Sequence, residues 1–517
     1  MPALTSLLDV LPIVEDRSLS RVPDDERYGD AGDLFTFWFG PNITMLAVVN
    51  GALATAAYGQ PFVLAALAIV AGNLIGALVV ALHSAQGARL GVPQVVQTRA
   101  QFGAWGAACV AACVALVSAG FLAVNLVLAG QSLGALSSHI SVTGSIVAVA
   151  AASALTAFLG YDFMHSYARV MTWLGGVVLV LAVVWILGAG HLAPGFWEAG
   201  RASAAGFVST ASLGALWQIS YVPYVADYSR YLPAATSPKR AFLATYAGTS
   251  AGSILSMLLG AVIGVQSSDV IGGLTTLAHG LSILVIGVFT ICLALASAIN
   301  VYGGTLSLIT VGQSLIPRWR TLPFRPTVSI GGRGALVVVI TAPAALAAVA
   351  ASGGFLIATT NVVQLLMYVL VPWTAINLVD YYLIRAGHYD VAEFLRPDGG
   401  RYRRVNWVAC GCLVAGIALE APFVSTPAYA GPMANRLGGA DVSWIVCLAI
   451  IAPLYYAAAR AGRAAGDART RSDQIHQYIG LITKKSIRSR GLQASPGADR
   501  IEESCDHVLA VPGFSEP

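Results

Sequence analysis

Between Phe62 and Leu82 the chain carries no charged side chain and is built almost entirely from Ala, Val, Leu, Ile and Gly. Leu174–Leu187 has the same character. A helix rises about 1.5 Å per residue, so roughly 20 such residues cross the hydrocarbon of a bilayer. Lipid offers the main chain no hydrogen-bond partner, which leaves only helices or the strands of a closed barrel. Barrel strands alternate apolar and polar residues. These blocks do not alternate, so they are expected to be membrane-spanning helices. Composition agrees: 10% of the 517 residues are charged, too few to wet soluble domains, which carry about 25%.

Reading the apolar blocks against Gly, Pro and charge gives twelve expected spans. They lie near 34–58, 61–82, 104–136, 142–160, 170–190, 205–226, 242–265, 280–313, 334–351, 355–384, 405–424 and 441–460. An even count puts both termini on one side, and charge chooses the side. With the termini in the cytoplasm, all but two of the 29 Lys and Arg face inward, Arg201 and Arg436 being the exceptions. That asymmetry is the positive-inside rule. A multi-pass protein of the cytoplasmic membrane is therefore expected, with the bilayer as its surroundings and no nucleic-acid partner. The seven cysteines form no CxxC pair and read as small apolar residues.

Two of the expected spans carry matched interruptions. Span 1 contains Phe39-Gly40-Pro41-Asn42 and span 6 contains Ser220-Tyr221-Val222-Pro223. Proline removes a donor and clashes with the preceding turn, so both helices should break there. Breaks five spans apart imply two five-helix units, the second inverted because five is odd. Paired broken helices in inverted repeats point to the binding site of a secondary transporter. The expected organisation is a cytoplasmic arm over 1–33, a first five-helix repeat over 34–190 and an inverted second over 205–384. Two further helices occupy 405–460, and a cytoplasmic, disordered tail runs over 462–517.

Polar groups inside the bilayer are costly unless partnered or facing a cavity, so the candidate site residues are few. They are Asn42 and Asn50 in span 1, Asn125 and Gln131 in span 3, and Gln218 and Tyr221 beside Trp217 in span 6. Asn300 and Tyr302 follow in span 8, and Asn361 and Gln364 in span 10. An amide donates and accepts, matching the N–H and C=O edge of a nucleobase or hydantoin, and Trp217, Tyr221 or Phe121 would stack on its ring. The competing role for such residues is hydrogen bonding between helices. No carboxylate lies at the centre of a span, which disfavours a cationic substrate. Asp227 with Arg230, and Asp380 with Arg385, sit at span ends with spacings suited to local pairing or gate contacts. Pro41 and Pro223 belong to the same structural set. His83, His165 and His279 lie near span ends. No HExxH, Walker-type loop or dinucleotide fingerprint is present, so neither an enzyme nor an ATP-driven pump is expected.

Three strings together resemble one family. Ala226-Asp227-Tyr228-Ser229-Arg230-Tyr231-Leu232-Pro233 is similar to the signature that follows span 6 in purine–cytosine permeases of the nucleobase–cation symporter family. Val371-Pro372-Trp373-Thr374, Asn377-Leu378-Val379-Asp380-Tyr381-Tyr382 and Gly387-His388-Tyr389-Asp390 resemble its span 10 ending. Val22-Pro23, Asp25-Glu26-Arg27, Trp38-Phe39 and Asn42 resemble its lead into span 1. The resemblance covers about residues 15–460 and implies a LeuT-type fold of ten core helices plus two, coupled to sodium or protons, with substrate among spans 1, 3, 6 and 8. It implies that Asn125 and Asn300 bind the substrate edge and that Gly40 and Asn42 lie at the span 1 break. Tyr221 and Phe121 stand where members often carry Trp. Where sodium-coupled members place Ser/Thr hydroxyls in span 8, this chain has Leu293-Ala294-Leu295. Proton coupling and no bound cofactor or metal are therefore expected. The implied function is cation-coupled import of cytosine or a purine. Allantoin, hydantoins, uracil and thiamine-type pyrimidines are alternatives within the family; an amino-acid transporter of the same fold, a non-transporting receptor and a passive channel are alternatives outside it.

Overall fold

A computed structural model describes residues 19–188, 192–316, 328–351, 367–394, 396 and 399–462. Among them there is no β-strand, only an isolated bridge between Ser425 and Ala430. The expected first span is two helices, α1 (Ala31–Phe39) and α2 (Met45–Ala56), bent by 64°. Gly40–Asn42 forms a 3-10 turn between them, and Thr44 starts α2 by accepting the Ala47 amide at 3.3 Å, satisfying a donor that a helix start leaves open. There follow α3 (Phe62–Leu90), α4 (Gln94–Gly134), α5 (Val142–Leu159) and α6 (Tyr161–Gly188).

The second interruption is present too. α7 (Ala204–Ile219) stops before Ser220, a 3-10 turn covers Val222–Tyr224, and the short α8 (Ala226–Ser229) resumes. Beyond it lie α9 (Pro238–Gln266), α10 (Val270–Ala278), α11 (Ser282–Leu315), α12 (Ile330–Ala350), α13 (Met367–Ile384), α14 (Trp407–Glu420) and α15 (Ser443–Gly462). By length and apolarity nine described helices can cross a membrane, or ten if α1 and α2 count as one. Asn361 and Gln364 lie outside the described residues, as does the tail beyond Gly462. Contacts divide the chain into Met1–Tyr456, which holds every helix above except the last turns of α15, and Ala457–Pro517.

α4 is longer than the expected span 3 and starts ten residues earlier. Gly103, at φ +77°, interrupts it where expected span 3 begins. An added Cβ at Gly103 would lie 2.7 Å from the Arg404 main chain. The amide of Trp105 donates to the Arg404 carbonyl at 2.8 Å and that of Asn406 to Phe102 at 2.9 Å. The kink thus docks the segment leading into α14, and only glycine fits both that approach and that backbone angle.

Small residues set the remaining packing. Along α9, Gly248, Gly252, Gly260 and Gly264 face the main chain of Phe35, Phe39, Val48 and Ala52, so α9 lies directly against the broken first span. Gly72 and Gly76 bring α3 equally close to Ala211 and Ala215 of α7. In lipid, where apolar side chains gain little by leaving their surroundings, such backbone approaches hold helices together. Gly248-Thr249-Ser250-Ala251-Gly252 has the spacing of a hydrolase nucleophile elbow, but that elbow needs a strand-to-helix turn. Here it lies within continuous α9, and Ser250 Oγ donates to the Tyr246 carbonyl at 2.5 Å. The outer surface carries Trp173, Ile283, Leu346 and Trp407, each at least 70% exposed, whereas Asn42, Asn73, Gln86 and Gln218 are fully buried. Apolar outside and polar inside is the arrangement a bilayer demands.

Candidate functional site

The two breaks face one cavity. Pro41, Thr44 and Leu46 of the first broken helix, and Trp217, Ser220, Tyr221 and Tyr224 of the second, form part of its lining. α4 adds Phe121 and Asn125, and α11 adds Leu293, Ala296, Ile299 and Asn300. The empty space, mouth included, is about 430 Å³, and none of the described residues that line it is charged. Trp217, Tyr221 and Tyr224 make one wall of aromatic rings, successive pairs meeting edge to face at 6.0 and 6.1 Å. Flat surfaces of this kind suit a planar heterocycle.

Asn125 and Asn300 supply the polar edge. Asn300 Nδ2 donates to the carbonyl of Ala296, one turn back, at 3.1 Å. That bond fixes the amide with its oxygen free to accept. Asn125 is 3% exposed, and its buried Oδ1 has no partner among the described residues. An unmatched buried carbonyl is unfavourable, so a ligand with an N–H donor would satisfy it.

Six expected site residues therefore meet at this cavity: Pro41, Phe121, Asn125, Trp217, Tyr221 and Asn300. Three expected ligands do not line it. Asn42 is fully buried behind the aromatic wall. Its Nδ2 donates to the Trp38 carbonyl at 2.7 Å, and its Oδ1 accepts from Trp217 Nε1 at 3.0 Å, Tyr221 Oη at 2.8 Å and Ser253 Oγ at 2.6 Å. With its oxygen so occupied, Asn42 positions the rings and has nothing left for a solute. Gln218 points away, giving Nε2 to Asn73 Oδ1 at 2.9 Å and taking Thr249 Oγ1 on Oε1 at 2.6 Å; it binds α7 to α3 and α9. Gly40 packs on α6, where a Cβ would come within 2.9 Å of Thr172 Oγ1. Pro223 is buried in the second break.

The residues at the span ends bond to neighbouring elements. Asp227 Oδ1 accepts the main-chain amide of Gln94, at the start of α4, at 2.8 Å, so its negative charge meets the positive end of that helix dipole. Arg230 Nε donates to the main-chain carbonyl of Asp227 at 3.1 Å, and its Nη2 to the Tyr231 and Tyr302 phenols at 3.0 Å each. Asp380 pairs with Arg385 at 2.9 Å and also accepts Tyr389 at 2.5 Å and Tyr455 at 3.1 Å. Burial, reinforced by the Asp380 carboxylate, holds the Tyr389 phenol well above its ordinary range, so it remains a donor. Sequence reasoning missed Tyr224, Ser220, Thr44 and Ser253. The last lies on the small-residue face of α9, and that pattern was its available signal.

Comparison with known proteins agrees with this geometry. The family model for permeases for cytosine/purines, uracil, thiamine and allantoin matches residues 21–447. The chain belongs to that permease family. A putative purine-cytosine permease, YxlA of Bacillus subtilis, is 35% identical over 86% of this chain and 95% of its own. The purine-cytosine permease fcyB of Emericella nidulans is 23% identical over 86% and 87%. Mhp1, a nucleobase-cation-symport-1 family transporter solved in a closed conformation with bromovinylhydantoin bound, superposes with a TM-score of 0.68. It is 19% identical over 86% of this chain and 95% of that one. At that identity the likeness speaks for the fold, which is LeuT-like. This permease is a multi-pass membrane transporter rather than an enzyme, and its family carries nucleobase-like small molecules.

Proposed function

We propose that this permease imports cytosine or a purine across the cytoplasmic membrane. It would do so by alternating access of the α1–α2 and α7–α8 breaks around the cavity between them. One observation carries the reading: an uncharged cavity between two broken helices with an aromatic wall and two amides that have unused acceptor oxygens. Phe121, Trp217 and Tyr221 would stack on the ring, and Asn125 and Asn300 would read its edge. The described lining residues include no cation or carboxylate, which disfavours an amino acid.

The wider frame is twelve helices, ten in two inverted sets of five plus two, with both termini cytoplasmic. Proton coupling belongs to the same proposal. Along Leu293-Ala294-Leu295, α11 offers no hydroxyl, and Ser297 Oγ is already bonded to the Leu293 carbonyl at 2.8 Å. A sodium ion, which prefers several oxygens, would find a poor cage there.

A panel of labelled cytosine, purines, uracil, allantoin, hydantoins, thiamine and amino acids, offered to a transport-deficient host expressing the protein, tests the reading. Uptake of cytosine or a purine that is sodium-independent and abolished by a protonophore supports it. Preference for an amino acid, or strict sodium dependence, refutes the corresponding part.

A further inference from the structure

Away from the cavity, α14 ends on Glu420, whose side chain is fully buried. Neither carboxyl oxygen accepts a hydrogen bond from a nitrogen or oxygen donor among the described residues. The ionisable groups facing it are the Cys447 thiol on α15 and the Asp441 carboxylate just before α15. The Tyr368 phenol of α13 acts on the same group, and Tyr58, after α2, adjoins Tyr368 and Asp441.

Asp441 is served quite differently. Its Oδ2 accepts Tyr368 Oη at 2.5 Å and the Ser425 amide at 3.1 Å. Its Oδ1 accepts the Ser443 amide at 3.0 Å and Ser443 Oγ at 2.6 Å. Two carboxyls in one dry cluster cannot both ionise cheaply, and unequal surroundings decide which one keeps a proton. The hydroxyl and amide donors go to Asp441, and Glu420 is left with the weak Cys447 thiol. Glu420 moreover sits at the negative end of the α14 dipole. The cluster is tied to the broken helix α7: Ser212 Oγ donates to the Asp441 carbonyl at 2.5 Å and accepts Trp444 Nε1 at 3.0 Å.

We propose that Glu420 is a proton-binding site of the transport cycle. It holds a proton while the α7–α13–α14–α15 cluster is dry. It releases that proton when α7 moves and water enters: the Glu420 O–H bond breaks, its electron pair stays on the carboxylate, and the proton passes to water. The inference rests on the alternating-access reading above and supplies the proton coupling with a residue.

The full-length protein in lipid vesicles provides the test. Infrared titration should show a protonated carboxyl band in the wild type at neutral pH, missing from Glu420→Gln and regained, at a shifted position, in Glu420→Asp. The Gln variant keeps the neutral shape and should melt as wild type does. Its uptake of labelled cytosine should lose at least tenfold of the response to an imposed proton gradient, and Glu420→Asp should recover most of it. A band of wild-type intensity in Glu420→Gln, or no such band in the wild type, overturns the proton site. A wild-type gradient response in Glu420→Gln overturns its place in the cycle. If the wild type moves no base at all, the transport reading fails, while the infrared comparison still decides whether Glu420 holds a proton.

Discussion

The Tyr221 phenol donates to Asn42 Oδ1 at 2.8 Å, joining the break in one helix to the break in the other. The same oxygen takes the Trp217 indole N–H and the Ser253 hydroxyl, so one amide orients two of the three rings in the aromatic wall. The ring edges are therefore tied to the break, so the shape of the cavity depends on the backbone of α1–α2.

Asn42→Ala takes the acceptor from the Tyr221 and Ser253 hydroxyls, while Trp217 Nε1 keeps Ser253 Oγ at 3.0 Å. Each hydroxyl costs about 1–3 kcal/mol when wholly unmatched. The variant should melt several degrees lower and raise the KM for uptake about tenfold or more, although Asn42 does not line the cavity. Thermal unfolding in detergent and uptake kinetics check this; an unchanged KM would contradict the positioning role.

Tyr221→Phe keeps the ring and removes only its bond to Asn42. A typical net hydrogen bond is worth about 0.5–1.5 kcal/mol, so KM should rise roughly 2- to 12-fold. Tyr221→Ala also loses the stacking face and should bind worse. Equal KM values for the two variants would show that the ring makes no contact with the solute.

Gly260→Ala would place a Cβ 1.9 Å from the Val48 carbonyl oxygen. Main chain cannot yield as a flexible side chain does, so α9 and α2 must separate. Overpacking of this kind costs about 1–3 kcal/mol or more. Thermal unfolding should show a clear loss, whereas Gly411→Ala, with nothing within 4 Å of its Cβ, should unfold as wild type does.

Asp380→Asn should destabilise far more than Asp33→Asn. Asp380 is 2% exposed and serves Arg385, Tyr389 and Tyr455, and breaking a buried pair from one side costs about 3–5 kcal/mol. Asp33 pairs with an Arg169 side chain that is 54% exposed, and such surface pairs contribute about 0–1 kcal/mol. Chemical denaturation of both variants measures the difference.

Nine or ten of the twelve expected spans and both breaks were legible in the sequence because apolar length and the presence of proline depend on residue type alone. Phe121, Asn125, Trp217, Tyr221 and Asn300 could be singled out because polar and aromatic side chains are rare in such segments. Which way each side chain points was not legible. Trp217 and Gln218 are neighbours about 100° apart on α7, and nothing in composition says that Trp217 faces the cavity while Gln218 faces Asn73. Asn42 looked like a ligand because it sits at the break, but the direction of its amide is set by Trp38 and Ser253, on two other elements. Tyr224 was missed because the 3-10 turn around Pro223 re-aims it. Glu420 went unnoticed because a single acid near a span end looks like a boundary until its surroundings are known.

Equilibrium binding of labelled cytosine to the purified protein and to its Asn300→Ala variant tests the central claim most directly. Loss of one well-placed bond in a dry cavity, about 1–3 kcal/mol, corresponds to roughly 5- to 150-fold weaker binding, with the melting temperature in the absence of ligand kept. Wild-type affinity in the variant would mean that Asn300 does not read the solute and that the substrate lies elsewhere.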